Sequence, residues 1–536
     1  MLTHGQPNMT KTTTPQEVRR HWTNGLEIAL LDVREEGPYA EAHPLFALTV
    51  PVSEVERKLP ALVPRLSVPI VVYDNGEGYV ERAARRIAAL GYGNVRILEG
   101  GLAGYASVGE IYRDVNVPSK AFGELVEAIR ATPSLAPRDV KQLIDSNSDV
   151  VVLDTRRFEE YNTMSIPRGR SCPGGELLYR IFAAAPSPDT TVVVHCAGRT
   201  RSLLGTQSLV NASIPNRVVA LRDGTIGWTL DGLQLDTGKT EQVPLPSEDV
   251  ARRARSYAVS WAEHVGVPVV RADQLLALAA QHDRTLYLLD VRDPSEYAQG
   301  HHTQFASAPG GQLVQATDEW IGVRGARAVL YDTDGVRARM AATWLLQLGW
   351  EVYVFDYEDT LPESIPRPDA PSRPSVSSSS PYGIAPADLR ELENATVIDL
   401  ARSPAYRKGH VPGAWHASGP ELARDLKTVK GEGPIVLTCP DGLVAAANVD
   451  DARKAVSRRV LYLEGGTAAW TAVNQPLETE VRWLSKPVDV YKRPYEGTGN
   501  DREAMEAYIQ WEHELVAQLA NDGVAQFHVV RDNRKA

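Results

Sequence analysis

Four times along this chain a short apolar run closes on an aspartate and is followed by a polar stretch that holds a tyrosine. The copies are "IALLDVREEGPYA" around Asp32, "VVVLDTRRFEEYN" around Asp154, "LYLLDVRDPSEYA" around Asp290 and, more weakly, "TVIDLARSPAYRKGH" around Asp399. A second apolar run follows each, as "PIVVYDNGEGY", "TVVVHCAGRTR", "RAVLYDTDGVR" and "PIVLTCPDGLV". These runs end at Asp74, Cys196, Asp332 and Cys439, which lie 42, 42, 42 and 40 residues past the earlier aspartates. One unit has been used four times. Within it the apolar runs are short and β-branched and alternate with helical patterns, which implies βαβ units and a parallel sheet flanked by helices. Ligands of such sheets bind beyond the carboxyl ends of the strands, where Asp74, Cys196, Asp332 and Cys439 all fall.

A third mark closes each unit, as "RILEGGLAGY", "VALRDGTIGW", "VYVFDYEDTL" and "LYLEGGTAAW"; the third copy lacks the glycines. The expected division is a first domain over 12–115, a second over 133–240, a helical connector over 241–267, a third domain over 268–366, a Pro/Ser-rich linker over 367–383, a fourth domain over 384–485 and a helical tail over 486–536. In the tail, "DREAMEAYIQWEHELVAQLA" places Ala504, Tyr508, Trp511, Leu515 and Leu519 on one apolar face. That face is expected to pack on its own domain, with a dimer contact as the alternative.

Composition removes several function classes. The net charge is 57 − 68 = −11, and no basic run points to nucleic acid. No stretch of about 18 apolar residues exists to span a membrane. The first residues, in which Met9 is a second candidate start, lack the apolar core of a secretory signal. Three cysteines, Cys172, Cys196 and Cys439, form no C-x-x-C pair, so neither a disulfide framework nor a metal site is expected, and no cofactor is called for. A reducing cytoplasm is the natural compartment.

The second unit carries the chemistry. "VVVHCAGRTRS" puts Cys196 at a strand tip, just before a helix. A thiol reacts as its thiolate, whose formation needs help at neutral pH. Backbone N–H groups from Ala197, Gly198, Arg199, Thr200, Arg201 and Ser202, together with the helix N-terminus, are expected to cradle the sulfur. Gly198 is expected to let the loop curl with φ > 0. Arg199 and Arg201 offer forked donors to an anionic substrate, Arg199 being the better placed to touch it. A tyrosine-phosphatase-type loop needs five residues between cysteine and arginine. Here four separate Cys196 from Arg201, which leaves the cradle short for a phosphate and suited to a single sulfur on cysteine. His195 reads as a hydrogen-bonded strand-end residue.

The "LLDVR"-type strand, the loop "CAGRTR" entering a helix and the closing "DGTIGW" or "EGGTAAW" signature together resemble the rhodanese (sulfurtransferase) superfamily over nearly all of 12–480. The likeness is to the multidomain bacterial members with four tandem domains. It implies α/β domains, each with a parallel five-stranded sheet, and a thiosulfate sulfurtransferase of rhodanese type. In such an enzyme the Cys196 thiolate takes sulfane sulfur from a donor such as thiosulfate or a small persulfide. It then passes the sulfur from a persulfide to cyanide or a thiol. A protein sulfur acceptor is a further implied partner. The family segment matching "RGRSCPGGELL" tends to approach the active-site mouth, which makes Cys172 either a thiol that accepts sulfur from Cys196 or forms a disulfide with it, or a packed small residue.

The other units read differently. Cys439 sits in "CPDGLVA" with an acid and no arginine, and reads as a vestigial or structural thiol. Asp74 and Asp332 cannot carry sulfane sulfur, so units one and three are expected to be inactive. Asp154 with Arg156, repeated as Asp32 with Arg34 and Asp290 with Arg292, reads as a structural ion pair. A sulfur-relay or binding scaffold that docks a partner of sulfide metabolism through the inactive domains is the alternative function. A phosphatase or arsenate reductase is disfavoured by the short loop.

Overall fold

The computed structural model describes residues 11–367, 370–371 and 380–531. Most of the expected linker over 367–383, the last residues of the tail and the alternative start at Met9 lie outside them. The described residues form four five-stranded sheets, every strand pairing parallel, with one strand order in all four: first, fifth, fourth, second, third.

The second sheet shows why the runs are apolar without alternation. Its strands are Ser134–Leu135, Val150–Asp154, Gly169–Ser171, Thr191–His195 and Val218–Leu221. Val151, Leu153, Val192 and Val194 point to one face, against Leu177, Ile181 and Leu209. Val152, Val193 and Val219 point to the other, against Val140 and Trp228. Both faces are covered by helices, so every position of the central strands after the first is buried. The register pairs Leu153 with Val194 and Asp154 with His195, which brings the aspartate of the first run beside the tip of the cysteine strand.

At that tip the repeated ion pair is structural. Arg156 donates through Nε and Nη2 to Asp154, at 2.9 and 2.6 Å, and through Nη2 to the carbonyl of Met164. The same fork joins Arg34 to Asp32 and the carbonyl of Ala42, and Arg292 to Asp290 and the carbonyl of Gly300. Each arginine thereby ties the end of the second strand to the loop after the following helix. In the fourth domain Ala401 replaces the arginine, and burial pushes the Asp399 carboxyl up to about 6.

The chain divides into two compact units. One gathers the first and fourth sheets. The other gathers the second and third sheets, the helix Val117–Arg130, the connector helix Glu248–Val265 and the C-terminal helix Arg502–Asp522. The expectation that this last helix packs on the preceding domain is therefore corrected. Its buried face is Met505, Tyr508, Trp511, Glu512, Leu515 and Leu519, with Ala504 only half-buried, and it lies on the helix Val117–Arg130 and the second domain. In the second unit the paired glycines of "PGGELL" and "PGGQLV" abut: a Cβ on Gly175 would meet the Gly311 backbone nitrogen at 2.6 Å, and one on Gly311 would meet that of Gly175 at 2.5 Å. No described helix is long and apolar enough to cross a membrane.

Candidate active site

Cys196 follows the strand Thr191–His195, and the helix Thr200–Ala212 begins four residues later. The turn between them is locked from the far side by the "DGTIGW" signature. Thr225 N–H donates to the Cys196 carbonyl at 3.0 Å, and Ile226 N–H to the Ala197 carbonyl at 2.9 Å. Gly224 is left-handed at φ +54, and a Cβ there would strike the Cys196 carbonyl. Gly101 and Gly466 make the same close approach to Asp74 and Cys439, which gives the third mark its physical reason.

The sulfur meets Ser202. The Cys196 thiol lies 3.5 Å from Ser202 Oγ, which itself donates to the Arg199 carbonyl at 2.8 Å. Burial pushes the Cys196 thiol up; the charge of Arg201 and the contacts with the Ser202 hydroxyl and amide pull against that. The Arg201 guanidinium is held in a bidentate pair by Glu160, at 2.7 and 2.8 Å. With Thr200, Thr155 and Gly311 it lines a small cavity within the second unit. Arg201 is thus the cation that favours the thiolate. Replacing it with alanine is expected to raise the thiol's midpoint and slow alkylation of Cys196 at about pH 8 by about tenfold. Mass-resolved alkylation across pH checks this, and an unchanged profile would separate Arg201 from the sulfur.

Two expectations for the loop are corrected. Gly198 is not in the left-handed region. Its Cβ position is instead taken by the C-terminal helix, with Glu512 Oε2 at 3.2 Å and Tyr508 Cε1 at 3.4 Å. Arg199, expected to grip a donor, is committed to protein carboxylates. It donates to Glu124 at 2.7 and 2.9 Å, to Asp223 at 2.8 Å and to Glu127, and only 5% of it is exposed. It anchors the loop to the helix Val117–Arg130. Ala197 and Thr200 are buried in the same turn, Thr200 Oγ1 lying 3.5 Å from Glu512. Cys196 itself is only 2% exposed.

The remaining candidates separate clearly. Cys172 is packed in the core with Leu177 and Ile181, and burial pushes its thiol up to about 12. Cys439 is fully buried, lies 3.5 Å from Asp441 Oδ1 and is likewise pushed up to about 12, burial first and Asp441 adding to it. All three cysteines are free thiols. In the first and third domains the aspartate fills the loop. Asp74 accepts from the amides of Gly76 and Tyr79, at 3.0 and 2.7 Å, and Asp332 from those of Gly335 and Ala338, at 2.9 and 2.8 Å. His195 is buried, with Nδ1 3.4 Å from the Cys196 carbonyl and Nε2 3.5 Å from Asp154.

Residues missed by sequence reasoning lie outside the repeat. Lys120, Glu124 and Glu127 come from the helix Val117–Arg130, between the first two expected domains, and Glu512 comes from the C-terminal helix. The one trace available was the acid set into the otherwise apolar face at Glu512.

Sheet order, ion-paired strand ends and the strand–loop–helix turn together define an α/β domain repeated in tandem. The family model for the rhodanese-like domain matches residues 14–107, 136–231, 271–358 and 386–473, and the chain belongs to the rhodanese family. Among solved structures it is similar to a thiosulfate sulfurtransferase from Pseudomonas aeruginosa, with 47% identity, a TM-score of 0.91, and coverage of 97% of this chain and 100% of that one. It is also similar to a rhodanese-related protein from Thermoplasma volcanium, with 23% identity, a TM-score of 0.17, and coverage of 18% of this chain and 98% of that one. A protein from Anabaena sp. matches at 25% identity and a TM-score of 0.17, covering 20% of this chain and 86% of that one. No curated protein matches the chain.

Proposed function

We propose that this protein is a sulfurtransferase that carries sulfane sulfur on Cys196, taking it from thiosulfate or a small persulfide and passing it to a thiol or cyanide. The observation that carries this reading is a substitution within the repeat. The loop amide that donates to the carboxylate in the third domain, at Ala338, corresponds to Ser202, whose amide faces the sulfur in the second. A loop that holds a carboxylate in one copy is suited to hold a thiolate or persulfide in another. The similarity to the Pseudomonas enzyme over the whole chain supports the same reading.

The steps balance without a cofactor. The Cys196 thiolate attacks the sulfane sulfur of thiosulfate, the S–S bond breaks, sulfite leaves with the electron pair, and a persulfide anion remains. An acceptor thiolate then attacks the terminal sulfur, and the bond to Cys196 breaks and returns the thiolate. Because Cys196 is only 2% exposed, a donor reaches its sulfur only when the surrounding cover gives way. That cover also favours a second reading, a relay in which a protein partner opens the site, with turnover of small donors slow until the partner is added.

Incubation with thiosulfate or glutathione persulfide, followed by peptide mass measurement, tests the proposal. One added sulfur atom is expected on the peptide that carries Cys196 and none on those with Cys172 or Cys439. Failure of every donor to label Cys196 would sink it.

A further inference from the structure

The C-terminal helix brings one carboxyl group to the cysteine loop that the transfer steps above do not use. Glu512 is 1% exposed. Its Oε1 accepts from Tyr508 OH at 3.0 Å and lies 3.5 Å from Thr200 Oγ1. Its Oε2 is buried with no hydrogen-bond partner and rests against Gly198 of the loop. A buried, unpaired carboxylate oxygen is costly, and it persists where a partner arrives during function.

The charges around the loop say what kind of partner this is. Arg199 is matched by Glu124, Glu127 and Asp223, and Arg201 by Glu160, so both loop arginines are already neutralised. Lys120 stands over the rings of Tyr508 and Trp511, at 5.3 and 5.4 Å. Glu512 adds a further acid. A doubly charged sulfur oxyanion entering here meets an excess of carboxylate, whereas a thiol brings a proton that an unpaired carboxylate oxygen can take.

We infer that Glu512 handles the proton of a thiol substrate at Cys196 and biases the site toward thiols and their persulfides over sulfur oxyanions. The inference rests on the sulfurtransferase reading. In the acceptor step R–SH gives its proton to Glu512, and the resulting R–S⁻ attacks the terminal sulfur of the Cys196 persulfide anion. The bond between the two sulfurs breaks, leaving the Cys196 thiolate and R–S–S⁻, with a neutral Glu512. With a persulfide donor the same proton returns to the departing thiolate. Burial holds the Glu512 carboxyl up at about 8, with Lys120 opposing, Glu124 adding to the rise, and Tyr508 and Arg199 opposing. The group therefore exchanges a proton near neutral pH. From the loop, Cys196 is the titratable group on which the Glu512 charge bears, raising its thiol.

The test compares two acceptors on one thiosulfate-loaded enzyme: a thiol such as glutathione, and sulfite, which is predominantly a dianion above neutral pH. In Glu512→Gln, kcat/KM with the thiol is expected to fall about 100-fold. Transfer to sulfite is expected to hold within about threefold or improve, and the KM for thiosulfate to fall. The inflection near 8 in the thiol pH profile of the parent is expected to vanish. Glu512→Asp, which keeps the acid and withdraws it by one methylene, is expected to retain thiol turnover to within about tenfold, and it serves if the glutamine variant does not fold. Equal losses with both acceptors, or an undiminished rate with the thiol, would overturn the inference while leaving the sulfurtransferase reading intact. A parent enzyme that moves no sulfur to either acceptor would overturn both.

Discussion

Sulfur transfer is expected to fall at least ~10³-fold in Cys196→Ala, to the level of the uncatalysed reaction. The size of the loss follows from the state of the other thiols. Cys172 sits in the core of the second domain, and Cys439 is sealed beside Asp441. Burial pushes both up to about 12, so near neutral pH neither supplies more than a trace of thiolate. Neither is paired with a loop arginine as Cys196 is with Arg201. The loop is expected to keep its shape, because its carbonyls remain held by Thr225 and Ile226 and Arg199 remains pinned to its carboxylates. Steady-state assay with thiosulfate and with glutathione persulfide checks this. A variant that keeps a tenth of the parent's rate would move the chemistry away from Cys196.

The largest expected effect on stability is at Asp154. Asp154→Asn keeps the volume and removes a charge, leaving the Arg156 guanidinium, 1% exposed, without its counter-ion. Breaking a buried pair by removing one partner costs about 3–5 kcal/mol. Burial alone would raise the Asp154 carboxyl, but the charges of His195 and Arg156 and the hydrogen bonds from Arg156 outweigh it and hold the group at about 2. Burial lowers His195 toward its neutral form, so Arg156 is the cation that counts near neutrality. The folded carboxyl lies below its ordinary value of 3.8, so its contribution is complete above about pH 4 and is lost as pH falls toward 2. Urea unfolding from neutral pH downward should show the parent weakening across that window and the variant, already weak, changing less. Equal midpoints at neutral pH would remove the pair from the account of this fold.

The sequence made most of the architecture legible, because the evidence for it repeats. Apolar runs without alternation, closing aspartates at nearly constant spacing and a glycine-bearing third mark each had a reason visible within a single unit, and four copies separated signal from accident. The Asp–Arg pairs and the replacement of the thiol by Asp74 and Asp332 were readable for the same reason. What the repeat did not contain was hidden. Arg199 read as a free donor because its partners, Glu124, Glu127 and Asp223, are distant or unremarkable in sequence; only the fold brings three carboxylates to one guanidinium. Gly198 read as a flexible residue because a chain alone does not reveal that Tyr508 and Glu512, more than three hundred residues later, need the space its missing side chain leaves. The amphipathic pattern of the last helix showed that it packs and gave no address.

The carboxylates of Asp74 and Asp332 have a consequence for how such an array is built. A turn that closes around a side chain of its own has no vacant and occupied forms, so those two domains keep one shape whatever the second domain binds. In the proposed transfer, the turn of the second domain must accommodate an incoming atom and release it again. In an array built this way, a local rearrangement that the proposed transfer requires is kept out of the copies whose turns are already filled.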